Sequence, residues 1–534
     1  MKIDWIKRAE WAVGILLSLT VLFLLAVRAT HAGALWRDEC GVLQLARLPT
    51  FAGVLKSFQF ESFPLPFFMI LRAYTDAFGT SDTSMRFFGL AVGIALVGVA
   101  WFNSRVISAG VPLIFLALAG LNATFLVWGT TIRGYGLGSV LITLAFGLTA
   151  KLPLQPKRVW LAATCLVCLV SAQFLYFNIP LVAAIAAGGI AAFLLRGRMN
   201  LALAVLGIAA VCAISYIPYL QMYWGIDWNI LLKSPSNLAR LWQGLSVACG
   251  EPASIMPVVW RAVFLASFVG AIWRLIIIRR ARPFPESDLL LLGLVASVAA
   301  ISTYYVFLHL LSYTPEVWYY LALLCVGAAA TDLIVATLSR FLWIRLLRLG
   351  FVIAALLTIP SAIWPRIIQR QTNIDIVAQK LQKDAAPNDL IVVNPWSVGV
   401  SFNWYYRGHT RWLTVPAINE HRGHRYDLVK AKMIESFPLD DLEHEISATL
   451  RSGNRIWFVG GMGALRAGEV PLFPLAAPDP QFGWSGLAYR YAWSQQLREF
   501  TRQHALRGSI IIHPGVAVCG VENVPLWAAE GWRD

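Results

Sequence analysis

Charge is what this sequence has little of. Only 14% of its 534 residues are Asp, Glu, Lys or Arg, against roughly a quarter in a soluble domain, and 58% are hydrophobic. A chain so poor in charge is mostly a membrane protein. Acids are scarcer than bases, leaving a net charge of +15. Residues 1–365 hold 26 Lys and Arg against 13 Asp and Glu, and residues 366–534 hold 18 against 16. Nearly all the excess therefore lies between apolar runs. A nucleic-acid binder would gather it on a soluble face, so no nucleic-acid partner is expected. The seven cysteines form no readable disulfide framework. Cys165 and Cys168 make a CxxC, but inside an apolar run with no nearby His, where small buried hydrophobes are the simpler reading over a metal site. Internal repeats and low-complexity linkers are absent.

What is present is a series of apolar runs near 11–30, 86–106, 111–128, 132–150, 159–177, 179–195, 201–220, 256–277, 288–310, 317–338 and 343–363. Each approaches the ~20 residues needed to cross a bilayer. The first is too long for a removed signal peptide and is read as a retained anchor. Every second loop is basic: Lys2, Lys7 and Arg8; Arg105; Lys151, Lys157 and Arg158; Arg196 and Arg198; Arg274, Arg279, Arg280 and Arg282; Arg340, Arg345 and Arg348. Eleven spans with a cytoplasmic N-terminus satisfy the whole series. The expected fold is a polytopic α-helical membrane protein, residues 1–365, with a C-terminal soluble α/β domain, residues 366–534. That domain is placed outside the cytoplasm of an inner (plasma) membrane. Its expected pieces are the amphipathic helix and strand of "IDIVAQKLQKDAAPNDLIVVNP", then "NRIWFVGG" and "GSIIIHPGVAVCG". Eight of the 22 Trp lie in this domain, either as glycan-stacking platforms or as core.

Three segments face outward on this reading: 31–85, 221–255, whose Trp224, Trp228 and Trp242 suit interfacial anchoring, and the tail. In the first, "LWRDECGVLQLARLP" places Arg37, Asp38 and Glu39 just past the first span. The amphipathic pieces "ECGVLQLARLPTFAGVLKSF" and "PLPFFMILRAYTDAFG" are expected to lie along the membrane surface. Glu61 stands between them. A carboxylate roofed at the membrane edge is partly desolvated, which raises its basicity toward that of a general base. An Arg at the same level suits a phosphate whose lipid tail stays in the bilayer. Successive helical residues point about 100° apart, so at most one of Asp38 and Glu39 is the base. Arg133, in "WGTTIRGYGLGS", is the only Lys or Arg in the short outer loops from the second span onward. Its partner is either a phosphate or one of Asp38, Glu39 and Glu61. His309, Tyr313 and Glu316 share another outer turn. His309 is read as a metal ligand or a hydrogen-bonded core His. No DxD occurs in the first loop, so no obligatory cofactor is expected, with a divalent metal left open.

These stretches together resemble glycosyltransferase family 39, which includes protein O-mannosyltransferases and bacterial lipid A aminoarabinose transferases of GT-C fold. The resemblance rests on an acidic pair (Asp38 and Glu39), a Glu-x-x-Pro stretch (Glu61 to Pro64), a Gly-to-Arg step (Gly79 to Arg86) and an outward Arg-x-Tyr (Arg133 and Tyr135). It covers residues 30–150 well and the later spans by hydropathy. Ser62 stands where many lipid A transferases carry Lys, and "TPEVWYYLALL" where an Arg-Tyr step is common. The resemblance implies an inverting glycosyltransferase that moves a sugar from a polyprenyl-phosphate donor to an extracytoplasmic glycan, lipid or protein. It implies Asp38 as base and Arg133 as a contact to the donor phosphate, with Arg37, Glu61, Tyr135 and His309 as further candidates. The rival classes are a transporter or flippase of a lipid-linked sugar and a non-catalytic glycan-binding scaffold.

Overall fold

The structure, a computed structural model, describes residues 2–61, 63–224, 226–234, 237–250, 255–278, 285–313, 315–463 and 469–534. Ser62 and the basic residues Arg279, Arg280 and Arg282 fall outside the described residues. Among those described, nine helices are long and apolar enough to cross a membrane, from Trp5–His31 to Leu342–Ile367. A shorter apolar helix, Arg158–Phe174, is a tenth. The protein is thus a multi-pass membrane protein. Large apolar side chains such as Leu19, Phe23, Leu166, Leu265 and Leu357 are exposed on the outer faces of these helices, where lipid tails cover them.

The run at 111–128 departs from a regular span. It folds as Leu113–Phe115, a π-helical turn Leu116–Gly120, a break, and a second π-helical turn Phe125–Gly129. Asn122 accounts for the break. Its side chain accepts from the Phe125 N–H and donates to the Ala248 carbonyl, capping the second piece. The segment is buried throughout, so protein atoms satisfy the freed backbone groups.

The basic loops collect at one end of the bundle. Arg196 pairs with Asp288 at 2.6 Å, Arg274 with Glu286, and Glu10 with both Arg345 and Arg348. Lys151 donates to the Val106 carbonyl at 2.6 Å. The Asp38 region lies at the other end.

After residue 389 the chain builds a five-stranded sheet: β1 Leu390–Val393, β2 Arg411–Thr414, β3 Ile456–Val459, β4 Ala505–Ile512 and β5 Leu526–Trp532. Their order is β2-β1-β3-β5-β4. The first three are parallel, and β5 runs antiparallel to both β3 and β4. Side chains alternate between two faces. Leu390 and Val392 pack with Val429, Met433, Leu442, Ile446 and Trp493 on one face. Ile391 and Val393 pack with Val377, Leu381 and Phe402 on the other. Helices therefore cover both faces. The strands read from "LIVV" and "IWFV" are β1 and β3, and β4 takes only the first part of "GSIIIHPGVAVCG".

Helix Arg37–Ala46 does not lie on the membrane surface. Eight of its ten residues are buried, because the C-terminal sheet unit closes over it. Gln44 donates to the Val400 carbonyl at 3.1 Å and accepts from Asn403 at 2.7 Å. The Tyr405 hydroxyl accepts from the Leu35 N–H and donates to Asp82. Helix Leu65–Phe78 does expose Met69, Ile70 and Phe78, as an interfacial helix would.

Candidate active site

The chain turns out of its first span at Gly33, with φ of +64°, and starts a new helix at Arg37. The first turn of that helix splits its two acids. Glu39 points into protein and is fully buried. It accepts from Arg86 at 2.8 and 3.2 Å, from the Ile132 N–H at 2.8 Å and from the Trp36 N–H at 3.2 Å. Arg86 spends its remaining donors on the carbonyls of Gly33 and Ala34. This pair staples the exit of the first span to the second span and to the turn before Gly134. Both oxygens of Glu39 are thus engaged in scaffold contacts.

Asp38, about 100° round the helix, faces a different set. Its carboxylate lies 3.4 Å from His424 Nε2, 3.5 Å from Arg37 Nε and 3.7 Å from Arg133 Nη2. These are loose contacts, and the side chain is 17% exposed. Burial pushes its carboxyl up, but Arg133 first, then His424 and Arg37, pull it down further, and it sits below its ordinary value. This reverses the expectation that desolvation raises its basicity, because Arg133, His424 and Arg37 together outweigh burial.

Glu61 completes the group. It pairs with Arg133 Nη1 at 2.6 Å and contacts His424 Nδ1 at 3.1 Å. Gly41 makes room for it, since a Cβ there would meet Glu61 Oε1 at 2.7 Å. Arg133 caps the span Gly134–Leu154. Its Nη1 also donates to the Asp38 carbonyl at 3.0 Å, and its guanidinium lies 4.5 Å from the Phe63 ring centroid. Gly89 lets this turn close down, because a Cβ would meet the Thr130 carbonyl oxygen at 1.9 Å. Tyr135 stands edge-on to Phe63 at 5.1 Å, and the Arg133 guanidinium lies 6.0 Å from its ring centroid. Trp36, Trp128 and Trp318 form a neighbouring aromatic triangle with centroids 4.5 to 5.6 Å apart.

Asp38, Glu39, Glu61, Arg37, Arg133 and Tyr135 therefore share one region. His309 does not join them. Tyr304 and Leu308 take the buried side of its helix, and His309 is exposed with its ring stacked on Tyr305. Neither a metal role nor a buried core role suits that position. The histidine of the cluster is His424, which the sequence reading missed. It arrives from the outer unit, 363 residues from Glu61. The signal available was "NEHRGHRYD", which holds two of only eight His. No three His, Cys, Asp or Glu side chains among the described residues are arranged to hold a metal ion. Arg133 stands between Asp38 and Glu61, where a cation would sit.

No family model matches the chain, and no curated protein sequence matches it. Several solved structures are similar to it. One is ArnT from Cupriavidus metallidurans bound to undecaprenyl phosphate, with 13% identity over 84% of this chain and 92% of that one and a TM-score of 0.48. Another is the Archaeoglobus fulgidus oligosaccharyltransferase tethered to an acceptor peptide, with 12% identity over 83% of this chain and 69% of that one and a TM-score of 0.42.

Proposed function

We propose that the chain is an integral-membrane inverting glycosyltransferase of GT-C type. It takes a sugar from a polyprenyl-phosphate donor and passes it to an extracytoplasmic acceptor. Residues 1–365 form the membrane unit, and residues 366–534 form a unit outside the cytoplasm. The observation that carries this reading is Asp38 itself. It is an ionised, loosely held carboxylate at the exit of a span, set between Arg133 on the bundle side and Arg37 on the side of the outer unit.

The chemistry follows from that placement. The Asp38 carboxylate takes the proton of an acceptor hydroxyl as its oxygen bonds to the anomeric carbon. The bond from that carbon to the phosphate oxygen breaks on the opposite face, so the centre inverts. Polyprenyl phosphate leaves with its electron pair. Arg133, at the cap of a span, is placed to meet a phosphate whose lipid tail remains in the bilayer. A bound phosphate shares the cationic field that depresses Asp38, so donor binding raises the basicity of the base when it is needed. Glu61 and His424 hold Arg133 and Asp38 in register. The test is purified protein in lipid nanodiscs with a polyprenyl-phosphate hexose. Release of polyprenyl phosphate by wild type, and its loss in Asp38→Asn, is the expected result. Movement of intact donor across the bilayer without consumption would overturn it in favour of a flippase.

A further inference from the structure

A second site stands on the far side of Arg37. Strands β1 and β3 are parallel neighbours, yet the helices that follow them cover opposite faces. Phe402, from the helix after β1, lies on the Val393 face, and Trp493, from the helix after β3, lies on the Val392 face. The loops at their carboxyl ends therefore part, and open α/β sheets bind ligands in the crevice this creates. A cavity of about 460 Å³ occupies that place, which is within the range of small-molecule sites. Its walls include the glycine-rich turn Gly460–Gly463 after β3, Asn394 after β1, Arg490 and Tyr491 from helix Gly486–His504, Glu522, and Arg37.

The chemistry of the walls is specific. Arg490 has no carboxylate within ion-pair distance among the described residues, and its neighbour in charge is another cation, Arg37. The one acid in the wall, Glu522, is occupied, accepting from the Arg37 backbone N–H at 2.6 Å and from the Ser401 hydroxyl. Two guanidiniums thus face a cavity with no free counter-charge. Asn394 is buried, and its amide nitrogen is fixed by the Gly461 carbonyl and the Ser494 hydroxyl. Its Oδ1 is buried with no hydrogen-bond partner among the described residues. Tyr491 offers a half-exposed ring of the kind on which a sugar face packs.

We propose that this cavity is the acceptor site and that it takes an anionic sugar, carboxylated or phosphorylated, with Arg37 and Arg490 on the anion and Asn394 on a hydroxyl. This rests on the transferase reading above. Arg37 links the two sites, since its Nε lies 3.5 Å from Asp38 Oδ1. A sugar held by Arg37 is thereby brought beside the base that would deprotonate it, while Arg133 serves the donor.

Binding of monosaccharide probes to the full chain in detergent, measured by calorimetry without donor, tests the site independently of transfer. Glucuronate and glucose 6-phosphate should bind saturably, each about tenfold or more tighter than glucose, as expected for charge-assisted contacts. Arg490→Ala should weaken both by about tenfold, with Arg490→Lys between. Preference for one of the two probes assigns carboxylate or phosphate. Equal binding of glucose and the anionic sugars would overturn the proposal, as would full affinity in Arg490→Ala. Should that variant not fold, the wild-type affinities decide, since they must weaken with added salt. Displacement of the probes by undecaprenyl phosphate in mixed micelles would give the site to the donor and sink the acceptor assignment.

Discussion

The two ends of the helical bundle use the same residue types differently. At the end away from the sheet unit, two buried acids are closely committed, Asp288 to Arg196 at 2.6 Å and Glu10 to Arg345, while the partly exposed Glu286 meets Arg274 only at 3.4 Å. At the other end Glu39 and Glu61 are committed in the same way, to Arg86 at 2.8 Å and Arg133 at 2.6 Å. Asp38 differs from these four buried acids, since its partners Arg133, Arg37 and His424 all stand at 3.4 Å or more. Close pairing in a buried place marks scaffold, because a partner lost there strands a charge. Loose pairing beside an opening marks a group available to something else.

The widest separation expected between these classes is in turnover. Asp38→Asn should lower transfer by about 10²–10⁴-fold, the usual contribution of a positioned base, and lower the melting temperature far less than Glu39→Ala. Glu39→Ala should do the reverse. It strands Arg86 in protein and should cost about 3–5 kcal/mol of stability, seen as poor folded yield and a lowered Tm. Transfer at the wild-type rate in Asp38→Asn, with a normal Tm in Glu39→Ala, would erase the distinction.

Smaller effects are expected from residues that hold Asp38 in place. His424→Asn removes one of the two side chains, Arg133 being the other, that touch both Asp38 and Glu61, and should lower kcat by roughly tenfold without unfolding the protein. Glu10→Ala at the opposite end serves as the control. It should cost about 1–2 kcal/mol of stability and leave turnover per folded molecule unchanged. If Glu10→Ala lowers turnover as much as His424→Asn, the loss reflects general loosening and not the site.

What the sequence made legible follows from where the solvent is uniform. Lipid enforces apolar length and basic loops, so the spans from Asp82–Val106 to Leu342–Ile367 could be placed within a few residues. The Asn122 break could not, because it depends on the distant Ala248 carbonyl. The acids Asp38, Glu39 and Glu61 and the base Arg133 were readable as charges in a chain that avoids them. The division of labour within the acidic pair was not, since it turns on Arg86 reaching one and His424 reaching the other. Helix Arg37–Ala46 looked interfacial because its apolar face shows in sequence and the roof over it does not. β2 was missed because "RWLT" is short and half polar. β5 was missed because "LWAAEGW" lacks the branched residues that usually signal a strand.

The smallest predicted effect concerns pH, and it sets two buried acids against each other. Arg133, with His424 and Arg37, holds the Asp38 carboxyl below its ordinary value. Glu522, buried and with its nearest help from backbone and hydroxyl donors, is pushed up to about 7 by burial, against the opposing pull of Arg37. A lowered carboxyl lends stability above its unfolded value and loses it only as pH falls through the folded one. Asp38 therefore leaves Tm flat across neutral pH. A raised carboxyl lends stability below its unfolded value and loses it as pH rises through the folded one. Tm should thus decline between roughly pH 5 and pH 8, the range that brackets the Glu522 titration, and Glu522→Gln should remove the decline while Asp38→Asn preserves it. A Tm that rises over this window in wild type, or a decline that survives Glu522→Gln, would show that burial does not govern Glu522. The contrast between a cation-held base and a desolvated wall residue would then have to be redrawn.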